Sequence, residues 1–187
     1  MVKADCGGCN GCSRCCHGMG NSIILDPYDV YRMTTGMGKS MQELLAASVE
    51  LNVVDGVILP NLKMQGTEEA CAYLDEEGRC SIHPYRPGIC RLFPLGRYYE
   101  NGGFSYFLQT GECAKENRSK IKVSKWIDTP DLTRNQQFTL QWHDLLHAME
   151  ERLTGEDEGK QREENLLLLR LFYLLPYELS LIHISEP

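Results

Sequence analysis

The rhythm of apolar and polar positions changes twice along the chain. Residues 6–20, Cys-Gly-Gly-Cys-Asn-Gly-Cys-Ser-Arg-Cys-Cys-His-Gly-Met-Gly, hold almost nothing to pack and many glycines, so they read as a loop wrapped around something. Ile23-Ile24-Leu25 is a short strand candidate. Asp26-Pro27 then reads as N-cap and first helical residue of a helix to about Thr35, stopped by Gly36 and Gly38. Ser40-Met41-Gln42-Glu43 is a capping-box pattern and opens a second short helix. Val49–Val54 and Val57–Leu59 flank Asp55-Gly56, a strong hairpin signal. Two further hairpins are expected: 71–74 with 79–82 across Asp75–Gly78, and 96–99 with 104–107 across Asn101-Gly102-Gly103.

The last third turns helical. Thr129-Pro130 opens a long helix on which Phe138, Trp142, Leu145, Leu146, Met149 and Leu153 recur at helical spacing. Gly155 ends it, Glu156 to Lys160 is a charged linker, and a second helix runs from about Arg162 to Leu175. The reading is a small α+β cysteine-rich domain of short hairpins and loops around a metal centre, braced by C-terminal helices. A chain of 187 residues suits one domain, taken as residues 1–178 with the helical part from about 129. Leu179 to Pro187 resembles the translation of a transposase adapter from sequencing libraries; it is set aside as an artefact, and His183 is given no role.

Composition narrows the function. Hydrophobic residues make up 42% and charged residues 24%, which excludes wholesale disorder, collagen and coiled coil. The net charge is −7 with Lys and Arg scattered, so nucleic acid is a poor partner. No secretory signal is visible. The longest apolar run, Leu166 to Leu175, is broken by Arg170 and rises about 15 Å as a helix, half a bilayer core, so no membrane partner is expected. A soluble, cytoplasmic protein follows, in which thiols stay reduced and a cysteine cluster favours metal over disulfides.

Nine cysteines then dominate the picture, five of them within eleven residues: Cys6, Cys9, Cys12, Cys15 and Cys16. In Cys9-x-x-Cys12-x-x-Cys15-Cys16, two residues between cysteines let sulfurs of a tight turn point at one centre. Three in a row suit a cubane iron–sulfur cluster, each taking a different iron. One zinc would need three thiolates from seven residues to meet at about 2.3 Å, and zinc ribbons use a second C-x₂-C that this chain lacks. Cys71, Cys80, Cys90 and Cys113 come singly. Neighbouring side chains diverge, so Cys15 and Cys16 serve two centres or one packs as a small hydrophobe. Eight cysteines allow one site with spares or two four-cysteine sites. A thioredoxin-like redox pair lacks its βαβ frame.

The string Cys9-x-x-Cys12-x-x-Cys15-Cys16, with Cys71-Ala-Tyr-Leu-(x)₅-Cys80-Ser-Ile-His83 and Arg86-Pro87-(x)₂-Cys90-Arg91-x-Phe93-Pro94, resembles the CxxCxxCC family of zinc- or iron-chelating proteins, also called YkgJ-like cysteine cluster proteins. The resemblance covers roughly Cys9 to Asp131. It implies a metal, iron–sulfur or zinc, held by Cys9, Cys12, Cys15, Cys16, Cys71, Cys80, Cys90 and Cys113, and implies little about reaction. Flagellin lysine methylases carry a similar cysteine domain. Cys6 lies outside the motif.

Other residues carry less. His83 can reach the centre but reads as a turn residue before Pro84. Arg86 and Arg91 either offset the charge of a thiolate-ligated cluster or make surface ion pairs. His143-Asp144-Leu145-Leu146-His147 misses the zinc-protease pattern by its Asp and reads as a solvated helix face. No phosphate-binding glycine motif is present. The first functional reading is an iron–sulfur protein with a redox, electron-transfer or cluster-handling role. The alternatives are a structural zinc module that binds an unidentified protein partner, and an enzyme, which should show a polar pocket beside the centre.

Overall fold

The computed structural model describes residues 1–5, 12–113, 115 and 117–175. Cys6, Cys9 and the adapter-like segment 179–187 lie outside the described residues. The first strand, β1 (Val2–Asp5), pairs antiparallel with a late one, β8 (Ser119–Ile121), in a clasp the apolar pattern did not foretell.

The helix at Asp26 forms where its punctuation says. In α1 (Pro27–Met37) Asp26 and Asp29 make a reciprocal capping box, and Gly38 ends the helix in the left-handed region at φ 64°; Gly36 stays inside it. The Ser40–Glu43 box opens α2 (Met41–Ala47). The hairpin β2 (Val49–Val54) and β3 (Val57–Leu62) turns at Asp55-Gly56, both residues at positive φ as a two-residue primed turn requires. Ile23–Leu25 forms only a bridge, Ile24 to Asn61, rather than a strand.

The second expected hairpin is replaced. Cys71 pairs instead with Met64, joining β4 (Met64–Gln65) to β5 (Ala70–Cys71), and of the 71–82 hairpin only the bridge Leu74 to Cys80 remains. Asp75 captures the intervening turn by accepting from the Arg79 N–H at 2.6 Å, so local hydrogen bonds outcompete a ladder. Then follow a 3₁₀ turn (His83–Tyr85), α3 (Gly88–Leu92) and the third hairpin, β6 (Leu95–Glu100) with β7 (Gly103–Leu108). Its turn is Asn101-Gly102, one residue tighter than read.

After β8 come α4 (Val123–Ile127), α5 (Leu132–Leu153) and α6 (Glu158–Leu169), which continues as a π-helical turn, Arg170–Leu174. Asp131 rather than Thr129-Pro130 caps α5, and Asp157, inside the supposed linker, caps α6. The expected stripe of α5 packs inward: Trp142 and Leu153 are buried, and Phe138, Leu145, Leu146 and Met149 pack against the same core. That core joins Leu25, Val30 and Met33 to Leu44, Val49, Val57 and Leu62, and to Leu168, Leu169 and Tyr173. The buried Tyr173 hydroxyl donates to Leu25 O at 2.9 Å. A smaller core of Leu92, Leu95 and Ile127 lies under β6, β7 and α4. The fold is α+β with C-terminal helices.

Asn165 shows how the layers are locked. Buried on α6, it accepts from the Ile58 N–H at 2.7 Å and donates to Gly56 O at 3.1 Å, closing the open end of the β2–β3 turn. Asn165→Leu would leave both backbone groups unsatisfied, at an expected cost of roughly 2–4 kcal/mol. Urea unfolding checks this; a loss under ~0.5 kcal/mol would show that water reaches these groups.

Candidate metal centre

The cysteine loop enters the fold through backbone hydrogen bonds. Ser13 O accepts from the Cys16 N–H at 2.7 Å and winds the 3₁₀ turn Arg14–Cys16. His17 bridges to Ala70, and the Gly18 N–H donates to Glu69 O at 3.0 Å. The loop is thereby stitched to the segment that carries Cys71. From Cys71, the Leu74 N–H returns to Cys71 O at 2.9 Å, and the His83 N–H to Cys80 O at 3.2 Å. The Pro84 and Pro87 segment then leads into α3, where Cys90 sits.

By this route five thiols come within electrostatic reach of one another. Cys15, Cys16, Cys71, Cys80 and Cys90 are half-buried, free and electrostatically coupled to one another, although they come from four separate segments. Cys15 is felt by Cys16, Cys71, Cys80 and Cys90 alike. The Cys16 thiol donates to Cys15. That hydrogen bond, aided by the Arg86 guanidinium, holds the Cys15 thiol down at about 6 against the opposing push of burial. Cys16 is pushed up by the same bond and then by burial. Neighbouring side chains were expected to diverge, but the tight 3₁₀ turn keeps these two sulfurs together. Burial pushes Cys71 and Cys80 up, and Cys90 further, with the Asp29 carboxylate adding to the effect on Cys90.

Cys12 stands half-buried at the head of the loop, and Cys113 on the turn after β7; the described interactions that join the five do not include them. Among the described residues no three His, Cys, Asp or Glu side chains are set to hold one metal ion. The donor chemistry nonetheless fits a soft metal: reduced thiols, one of them ionised near neutrality, with a cation beside them.

The arginines divide. Arg86 acts on Cys15 and Cys80, and its buried Nε has no partner among the described residues. Arg91 makes no ion pair among the described residues. It is buried and donates to the carbonyls of Arg86, Pro84 and Asp128, a backbone staple that fixes α3 against the turn before it. His83 is an exposed turn residue, and partial burial, followed by the charges of Arg86, Arg91 and Arg79, lowers its imidazole pKa. His143 and His147 do not share a site. His147 faces Glu150 at 3.8 Å, whereas His143 stacks on Tyr99, ring centroids 3.7 Å apart, so the solvated-face reading holds only for His147.

Sequence reasoning missed a cleft of about 390 Å³ on the far side of α3, between α1, β6 and α5. Asp26, Asp29, Arg97, Tyr99 and His143 line it. They come from three elements, and spacing in the chain carries no signal that they meet.

An α+β fold that draws reduced thiols from four separate segments is the architecture of a cysteine-rich chelating protein. Residues 8–121 match the CxxCxxCC family, described as "Putative zinc- or iron-chelating domain", and the chain belongs to that family. No curated protein and no solved structure matches it. No helix among the described residues is long and apolar enough to cross a membrane.

Proposed function

We propose that this chain is a single-domain, cysteine-ligated metal protein of the cytoplasm that holds an iron–sulfur cluster, with a redox, electron-transfer or cluster-handling role. The electrostatic coupling of five free thiols from four segments supports the reading. Cys15, Cys16, Cys71, Cys80 and Cys90 would supply ligands, with Cys9 and Cys12 completing the loop and Cys113 the eighth. The cluster would supply one-electron chemistry. This chain's own part is to gather the sulfurs, shield them by half-burial, and offset their negative charge with Arg86. Binding replaces the thiol protons, so the metal contributes folding free energy to the segments it joins.

Anaerobic purification followed by iron, zinc and acid-labile sulfide assays tests this. Iron and sulfide in comparable amounts, with a colour that bleaches on reduction, are the expected result. Zinc alone, with no iron or sulfide, would leave the structural zinc module as the reading. The enzyme reading draws on one specific observation, the polar cleft against α3.

A further inference from the structure

The cleft between α1, α3, β6 and α5 has the volume of a small-molecule site, about 390 Å³. Its charges are opposed but unjoined. Asp26 and Asp29 both feel the Arg97 guanidinium, yet none of the ion pairs among the described residues links either carboxylate to it. Asp29 is spent on structure, accepting from the Gly88 N–H at 2.7 Å and from the Asp26 N–H at 3.3 Å. Asp26 uses one oxygen to accept from the Asp29 N–H at 2.7 Å and is only half-buried, so it borders the open space. Arg97 hydrogen-bonds the Tyr99 hydroxyl, and its buried Nε has no partner among the described residues. Leaving such a donor dry and unmatched is costly unless something fills the gap. Two more arginines line it, but Arg32 and Arg91 are spent on backbone carbonyls. Ile24, Leu92, Trp142 and Leu146 supply apolar wall, with the Tyr99–His143 stack at one side.

We propose that this cleft binds an α-amino acid with an apolar or aromatic side chain, its ammonium on Asp26 and its carboxylate on Arg97. A zwitterion is the smallest common group that answers both Asp26 and Arg97 at once. A simple anion would leave Asp26 without a partner for its free oxygen; a simple amine would leave Arg97 unanswered. Asp29 is held by two backbone N–H groups, which leaves Asp26 as the carboxylate free to meet an ammonium. The side chain lies against Trp142 and Leu146, where its burial supplies apolar contact. The cleft adjoins the thiols through α3: Asp29 accepts from the Gly88 N–H and its carboxylate acts on Cys90 two residues on.

The test is calorimetric titration of the anaerobically purified full chain with the protein amino acids, omitting cysteine and histidine because they chelate metal. Phenethylamine and 3-phenylpropionate serve as the two halves of phenylalanine. Binding of at least one apolar or aromatic amino acid is expected, at least tenfold tighter than either half. Arg97→Gln and Asp26→Asn should each weaken it at least tenfold; asparagine keeps the helix cap, so Asp26→Asn remains informative if Arg97→Gln fails to fold. Absence of binding by every amino acid overturns the proposal. So does a half that binds as tightly as the whole, or a folded variant of either residue that binds like the parent. Metal content is measured on the same samples, so failure here is distinguishable from failure of the metal reading.

Discussion

Cys15→Ser is expected to remove most of the bound metal, lowering metal per chain at least tenfold. Cys15 is coupled to Cys16, Cys71, Cys80 and Cys90, as Cys71 also is to the other four, and of the five only Cys15 is held down toward neutrality. Serine replaces a soft thiolate with a hydroxyl that keeps its proton, so a bond to a soft metal is lost. The serine oxygen can still accept from the Cys16 thiol, so the loss reports the missing thiolate rather than a broken turn. Cys80→Ser and Cys90→Ser should follow closely, because each is coupled to Cys15 from a separate segment. Cys6→Ser should retain the metal. Metal content across a nine-member Cys→Ser series decides the matter: if Cys6→Ser loses as much metal as Cys15→Ser, the loop starts one step earlier than the motif register chosen here.

Removing the metal with a chelator is expected to loosen two segments and spare the rest. Thiolate-rich metal sites contribute on the order of 10 kcal/mol to the folds they close. Residues 12–18 and 66–80 would lose that support, because their pairing is sparse: β4–β5 spans two residue pairs, and the bridges His17 to Ala70 and Leu74 to Cys80 stand alone. The second segment's larger apolar anchors to the core are Tyr73 within it and Met64 and Ile82 just beyond its ends. Sequence reasoning would put the whole N-terminal two-thirds at risk. The packing narrows this, since Leu25, Val30, Met33, Leu44, Val49 and Leu62 share one core with Trp142, Leu168 and Tyr173. Hydrogen exchange should therefore show lost protection at Cys71 and Leu74 amides, and little change in β2, β3, α1 and α5. Uniform exchange with and without metal would refute the coupling; global unfolding on chelation would show that the core depends on the metal too.

What could be read in advance was local. Asp55-Gly56 and Asn101-Gly102 specify their turns through positive φ, and the Asp26 and Ser40 boxes specify helix starts through hydrogen bonds three residues long. Such signals lie within a few residues of their effect. The β1–β8 clasp, the Met64–Cys71 pairing and the 71–82 turn depend on partners elsewhere in the chain or on one carboxylate choosing a near N–H. The site divides along the same line. Spacing named the cysteines; in the fold five of them are electrostatically coupled, while no three side chains among the described residues are set to hold one ion. The rank of Cys15, the buried role of Arg91 and the meeting of Asp26 with Arg97 arise from packing between α1, α3 and β6, which no spacing encodes.

The pairing of Val2–Asp5 with Ser119–Ile121 has an architectural consequence. It brings together the two borders of the stretch that matches the family, residues 8–121. A unit whose entry and exit stand side by side can be spliced into a loop of another protein without stretching its host, as insertable modules require. The long α5 and α6 restrain that portability. They cover apolar faces of α1, β2 and β3, so a transplanted cassette would need a substitute lid from its new neighbour. The clasp thus makes the chelating unit modular in connectivity, while its packing obliges it to travel with a companion.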